Sequence, residues 1–176
     1  MIDRILYKIL GGVAFARRKG VSIGAGCRIL TSRFGSEPWL ISIGDRVTVS
    51  SDVVFINHDG SGWLHSDERG RRYRYARIEI GESSFIGAGT IIMPGVRIGS
   101  RCVVGAGSVV TKSIPAGTVV AGNPARYICT YSDFISRIDG WSAEQDQVGA
   151  TRRQRIDSIV DKNYKNTLKS ENSDAR

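Results

Sequence analysis

The sequence predicts an all-β solenoid, a parallel β-helix, and three observations predict it. From Ile80 to Pro115 the chain reads in sixes: IGESSF, IGAGTI, IMPGVR, IGSRCV, VGAGSV and VTKSIP. An aliphatic residue opens each hexad (Ile80, Ile86, Ile92, Ile98, Val104, Val110), and the fifth place is small or β-branched: Ser84, Thr90, Val96, Cys102, Ser108, Ile114. A period of six is neither the helical 3.6 nor the alternation of a half-buried strand. It is the period of a coil of three short strands, with roughly eighteen residues per turn and coils stacked at the ~4.8 Å strand spacing. No hexad can bury its aliphatic residue alone, so stacking creates the core. Finally, glycine is abundant, 21 of 176 residues, and falls at hexad positions, so it marks repeat turns, not disorder. A phosphate-cradling glycine loop would not hold phase over six hexads.

Taken in order, residues 2–19 place Ile2, Ile5, Leu6, Ile9, Leu10 and Val13 on one helical face, with Gly11 and Gly12 weakening the helix or ending it. Residues 1–20 thus form an N-terminal amphipathic helix. It serves as the cap that an open first coil requires, as a basic anchor on an anionic membrane surface, or as both. The β-helix proper is expected over 21–129. Ile23 starts a coil at 23–40, irregular around Arg33 to Trp39. Ile41 and Ser42 read as two extra residues before a second coil at 43–60. Residues 61–79 break the period with a long, arginine-rich connection, the kind that is functional or disordered. Regular coils return at 80–97 and 98–115, so that Ile23, Ile43, Ile80 and Ile98, each followed by glycine, share one column. Two last strands follow, turning at Asn123-Pro124. Residues 130–176 read as a helical tail: Ser142 to Gln145 has capping-box spacing, Arg152 to Leu168 a helical pattern, and 169–176 are expected to be disordered.

Composition narrows the function. The chain carries a formal charge of +8, unevenly spread: net +4 over residues 1–20, net +3 over 61–77, zero from 130 onward. No single module combines basic and aromatic residues as a nucleic-acid reader would, so no nucleic acid is expected as partner. Three unclustered cysteines argue against a disulfide framework. Cys27 and Cys102 occupy fifth hexad places and read as packing residues. No apolar run approaches a membrane span and no secretory signal is visible, which points to the cytoplasm.

The chemistry centres on His58, one of two histidines. It lies where the long loop leaves the coil, and an imidazole titrating near neutrality suits a general base. Asp59, next to it, is expected to hydrogen-bond the far ring nitrogen and fix the tautomer. Asn57 is a candidate oxyanion or substrate donor. Trp63, Tyr73 and Tyr75 offer stacking faces for a sugar ring, and the loop arginines suit an anionic acceptor such as a nucleotide- or lipid-pyrophosphate-linked sugar. A solvated charged loop accounts for the same arginines equally well. No cysteine has a histidine near it in sequence, so no covalent nucleophile is expected.

Residues 43–129 resemble the hexapeptide-repeat acyltransferases, left-handed β-helix enzymes that acetylate sugars and antibiotics. The resemblance rests on VGAGSVVTKSIPAGTVVAGNPAR at 104–126, and on a histidine followed by a loop and IEIG at 78–81. It implies the left hand of the coil, a homotrimer, acetyl-CoA as acyl donor in a groove between neighbouring coils, and no metal. By position, His58 matches the family's base and Asp59 an acidic neighbour found in some members. Ala88 and Ala106 match residues whose backbone contacts the pantetheine arm. Thr111 and Lys112 match a Thr-Lys pair near the cofactor, and Pro124 and Arg126 fall at its adenine and phosphate end. Galactoside-specific members usually carry proline where Arg77 stands, so their acceptor does not transfer to this chain. The expected activity is O-acetylation of a saccharide, with surface polysaccharide assembly as its setting. Serine, antibiotic or amino-sugar N-acyltransfer on the same fold, and a non-catalytic scaffold, are the alternatives. A γ-type carbonic anhydrase needs three zinc histidines and is excluded by the two available.

Overall fold

From Ile41 to Val110 the chain visits three parallel sheets in a fixed order on each circuit. In the computed structural model, which describes residues 2–163 and 165, the first sheet contains Ser22–Ile23, Ile41–Ile43, Ile78–Ile80 and Arg97–Ile98. The second contains Arg28–Ile29, Thr48–Val49, Phe85–Ile86, Val103–Val104 and Thr118–Ala121, with Arg126–Thr130 added antiparallel at its end. The third contains Val54–Phe55, Ile91–Ile92 and Val109–Val110. Register is that of the hexads: Ile80 lies beside Ile43 and Ile98, Ile86 beside Val49 and Val104, Ile92 beside Phe55 and Val110. The expected column Ile23, Ile43, Ile80, Ile98 is present. These first-place residues are almost wholly buried and form the core. Each contributes about 1.5–3 kcal/mol relative to exposure.

The other hexad places have equally physical causes. At the fourth place the backbone enters the left-handed region in coil after coil: Arg46 (φ 54°), Ser83 (φ 55°), Gly89 (φ 68°), Arg101 (φ 53°), Gly107 (φ 69°). Glycine recurs there because a Cβ is strained at that angle. Buried fifth-place residues staple coils together. Ser84 Oγ accepts from Cys102 N at 3.0 Å and donates to Gly99 O at 3.0 Å, and Ser108 Oγ accepts from Gly122 N at 3.1 Å. Cys102 packs in the same way, its Sγ 3.1 Å from Pro115 O, and burial pushes its thiol pKa up.

Several expectations need correction. The N-terminal helix ends at the two glycines but a second helix follows: α1 (Ile2–Leu10) and α2 (Gly12–Lys19) are separated at Gly11, which has φ 74°. A Cβ at Gly12 would overlap Ile29 O, so only glycine lets α2 approach the first coil this closely. Phe15 and Ala16 of α2 are buried and cap the coil, whereas Ile5 and Ile9 of α1 face solvent. Two extra residues are present, since Ile23 pairs with Ile43 where Ile80 pairs with Ile98, but Ile41 and Ser42 are themselves strand residues, paired with Ile78 and Glu79, so the extra length lies before them. The 61–79 connection is folded: a 3₁₀ turn at Gly60–Leu64, then two short antiparallel pairings, Ser66–Asp67 with Gly70–Arg71 and His58–Asp59 with Arg74–Tyr75.

Two compact units divide the chain, 1–136 and 137–176. Tyr131–Ile138 is a helix, α3, at the start of the expected helical tail, and it is opened by Thr130 and Asp133, whose hydroxyl and carboxylate bond at 2.7 Å. In the second unit the capping box is not at Ser142. It is at Thr151 and Gln154: Thr151 Oγ1 accepts from Gln154 N at 3.2 Å and Gln154 Oε1 from Thr151 N at 3.0 Å. It opens α4, which spans Arg152–Ile159 and ends before Val160. Residues 160–163 and 165 of the expected helix are not helical, and residues 164, 166–168 and 169–176 lie outside the described residues.

Candidate active site

His58 sits on a two-residue strand at the mouth of the 61–79 excursion, where Tyr75 is its cross-strand neighbour. The two rings lie 5.7 Å apart, tilted by 53°. The partner of the histidine is Glu37: Nδ1 is 2.8 Å from Glu37 Oε2. A carboxylate accepts, so Nδ1 carries the hydrogen, and in the neutral ring Nε2 is left with the lone pair. Glu37 is only 14% exposed against 42% for the imidazole, so the acid is the fixed member of the pair. It belongs to the irregular stretch of the first coil, which brings it under a histidine one coil later.

Asp59 does not play the part expected of it. Its Oδ1 accepts from Ser61 N at 2.9 Å and caps the 3₁₀ turn. The Ser61 hydrogen bonds hold its carboxyl below the usual carboxylate range, with Arg74 and then His58 adding smaller electrostatic contributions. Asn57 is also not placed for oxyanion or substrate contact. It is 1% exposed, its amide has no partner among the described residues, and its Oδ1 fills the space that a Cβ at Gly35 would need. Glycine at 35 therefore makes room for the Asn57 side chain.

A cleft of about 370 Å³ opens beside the base, lined by His58, Asp59, Gly60, Arg74, Met93 and Thr111 among others. Thr111 also borders a groove of about 510 Å³ that holds Lys112, Pro115, Ala125, Arg126 and Tyr127. The adjacent Thr111 and Lys112 thus come together with Arg126, more distant in sequence, and Thr111 joins their groove to the cleft of His58. Ala88 and Ala106 are exposed one coil apart, at the corner between the second and third sheets, with Gly107 N donating to Ala88 O at 2.8 Å. The strand Val109–Val110 separates that corner from Thr111. Pro124 lies in the turn between the last two strands, after a cis peptide from Asn123. Trp63, Tyr73 and Tyr75 are exposed on the excursion, with some of their faces used within it. Arg71 lies 4.7 Å over the Trp63 ring and 4.9 Å over Tyr73, and Tyr73 stacks on Tyr75 at 6.2 Å. Glu37 and Met93 escape a reading of the sequence, and Arg74 is read there only as one of the loop arginines. The one available signal is that both breaks of the hexad period, 33–39 and 61–79, fall at the same point of successive coils.

The family model described as bacterial transferase hexapeptide, six repeats, matches residues 77–112. Protein CapG of Staphylococcus aureus is 46% identical over 125 residues, covering 69% of this chain and 73% of CapG. The chain belongs to the hexapeptide-repeat acyltransferases. The galactoside O-acetyltransferase of Escherichia coli strain K12 is 38% identical over 98 residues, covering 55% of this chain and 47% of that enzyme. Among solved structures, a hexapeptide-repeat acetyltransferase from Vibrio cholerae superposes with a TM-score of 0.55 at 28% identity, covering 64% of this chain and 63% of that one. Its complex with acetyl coenzyme A gives a TM-score of 0.50 at 30% identity, covering 64% and 61%. The chain therefore spans most of CapG and about half of the galactoside enzyme.

Proposed function

We propose that this chain is an acetyl-CoA-dependent O-acetyltransferase that modifies a hydroxyl of a saccharide, with His58 as general base. One observation carries the reading: an imidazole whose Nδ1 is held by a largely buried carboxylate shares a cleft with Thr111, and Thr111 borders the Lys112–Arg126 groove. The acetyl-CoA-bound Vibrio structure and the galactoside relative support this donor and this class of acceptor.

In this mechanism His58 Nε2 takes the proton of the acceptor hydroxyl as its oxygen attacks the thioester carbonyl. The carboxylate of Glu37 faces the ring on which positive charge develops, as the third member of a hydrolase triad does. The tetrahedral oxyanion collapses, the C–S bond breaks, and the thiolate of coenzyme A receives the proton from the imidazolium. With Asn57 buried, a backbone N–H is the oxyanion donor; a good one contributes about 2.7–4 kcal/mol. Lys112 and Arg126 hold phosphates of the donor, Lys112 as a point charge and Arg126 as a fork. The backbone at Ala88 and Ala106 borders the pantetheine arm.

The finer architecture belongs to the same reading. The coil is left-handed and three copies assemble, with donor grooves between neighbours, as the family resemblance implies. On α1, Ile5, Ile9 and Leu10 are exposed within a segment of net charge +4, which supports peripheral contact with an anionic membrane surface and a place in surface polysaccharide assembly.

The test is release of coenzyme A from acetyl-CoA against a panel of saccharides, with the product bond identified by mass spectrometry and NMR. An ester is expected. An amide would replace O-acetylation by N-acylation, and no release with any acceptor would end the transferase reading.

A further inference from the structure

The 61–79 excursion builds a file of stacked side chains that ends at the base. Arg71 lies over Trp63 and over Tyr73, Tyr73 stacks on Tyr75 with planes 10° apart, and Tyr75 leans on His58. Residues 71, 73 and 75 alternate along the chain and so share one side of an extended segment. Trp63, Tyr73 and Tyr75 are 72%, 65% and 54% exposed, so the file stays open to solvent although Arg71 takes up one face of Trp63 and the two tyrosines stack on each other. Toward an acceptor it presents phenolic hydroxyls and the N–H fork of one guanidinium. The neighbouring arginines are differently engaged. Arg72 is bonded to Asp67, and Arg74 faces Asp59 in the cleft. Arg71 has no ion-pair partner among the described residues, and stacking orients its fork in advance.

We infer that Arg71 is an anion subsite, so that the acceptor is a saccharide carrying a carboxylate or phosphate on a unit other than the one acetylated. This rests on the acetyltransferase reading above. Three successive steps, Arg71 to Tyr73 at 4.9 Å, Tyr73 to Tyr75 at 6.2 Å and Tyr75 to His58 at 5.7 Å, separate the guanidinium from the base. An anionic group on a neighbouring unit, rather than on the reacting ring, suits a guanidinium that stands three contacts away from the base. The group lies at least one unit further along, in a glycan chain or in a phosphate-linked carrier. The net charge of +3 over residues 61–77 favours such a ligand, and no chemistry beyond acyl transfer is required.

The experiment compares kcat/KM of the full-length protein and its Arg71→Ala and Arg71→Lys variants with three acceptors. These are a uronic-acid-containing tetrasaccharide, the same compound with its carboxyls reduced to alcohols, and a nucleoside-diphosphate sugar. Removing a charge-assisted hydrogen bond lowers kcat/KM by roughly 10–100-fold. The expected result is that loss for Arg71→Ala on at least one anionic acceptor, partial recovery with Lys, and no change on the reduced tetrasaccharide. Selective loss on the tetrasaccharide identifies a carboxylate within the chain as the ligand. Selective loss on the nucleotide sugar identifies the pyrophosphate. Equal effects on charged and neutral acceptors, or no effect on any, would overturn the subsite while leaving the transferase intact. Coenzyme A release with none of the three would overturn both this subsite and the reading beneath it.

Discussion

Glu37 Oε2 lies 2.8 Å from His58 Nδ1, and the two residues come from successive coils. A carboxylate in that position fixes which nitrogen carries the hydrogen and leaves Nε2 to act. Glu37 acts through His58, so it is a positioning residue. Glu37→Ala is expected to lower kcat by about 10²-fold, at the low end of general-base contributions, with the KM for acetyl-CoA unchanged. Glu37→Asp should recover part of the loss. Equal damage to KM and thermal stability would show a merely structural role.

Asp59, by contrast, caps a turn. Asp59→Asn preserves an acceptor oxygen for Ser61 N and should leave kcat within about threefold of the parent, since a surface change of this kind stays within about ±0.5 kcal/mol. A fall as large as that of Glu37→Ala would restore Asp59 to the proton relay.

Lys112→Ala and Arg126→Ala should each raise the KM for acetyl-CoA roughly tenfold with little change in kcat, as when a hydrogen bond to the donor disappears equally from ground and transition states. An unchanged KM in both would remove the 510 Å³ groove from the donor site.

Ile86 is wholly buried at a first hexad place between Val49 and Val104. Ile86→Ala leaves a cavity that stacked neighbours cannot fill, and should cost about 2–5 kcal/mol in denaturant unfolding. A loss under about 1 kcal/mol, one methylene's worth, would mean the coil relaxes around the gap.

Burial holds the Cys102 thiol above its ordinary value of 9.0. The unfolded chain then releases this proton first as pH rises. Stability from this group is therefore complete below that value and declines above it. Unfolding followed from about pH 8 to about pH 10.5 should show a steeper decline in the parent than in Cys102→Ser. Parallel curves would contradict the assignment.

The hexad phase makes the coils legible because each place has one physical duty: burial at the first, the left-handed turn at the fourth, stapling at the fifth. Where the period breaks, local patterns stop reporting geometry. Glu37 reads as an ordinary acid in an irregular stretch, and only the stacking of coils brings it under His58. Asp59 misleads for the complementary reason: adjacency in sequence says little on a strand, where neighbouring side chains point to opposite faces. Asn57 follows the same rule, since its neighbour His58 reaches the cleft while Asn57 turns inward. The arginine-rich excursion reads as a connection because its hairpins are only two residues long per strand. Thr111 and Lys112 are legible through the family motif alone; nothing in the period distinguishes them.

The most direct test is calorimetric titration of the protein with acetyl-CoA, with His58→Ala beside it and turnover measured on both. The account predicts saturable binding near one per chain in each, and a kcat lowered by ~10²–10⁴ in the variant. Absence of binding at millimolar acetyl-CoA, or a variant with near-normal turnover, would contradict it.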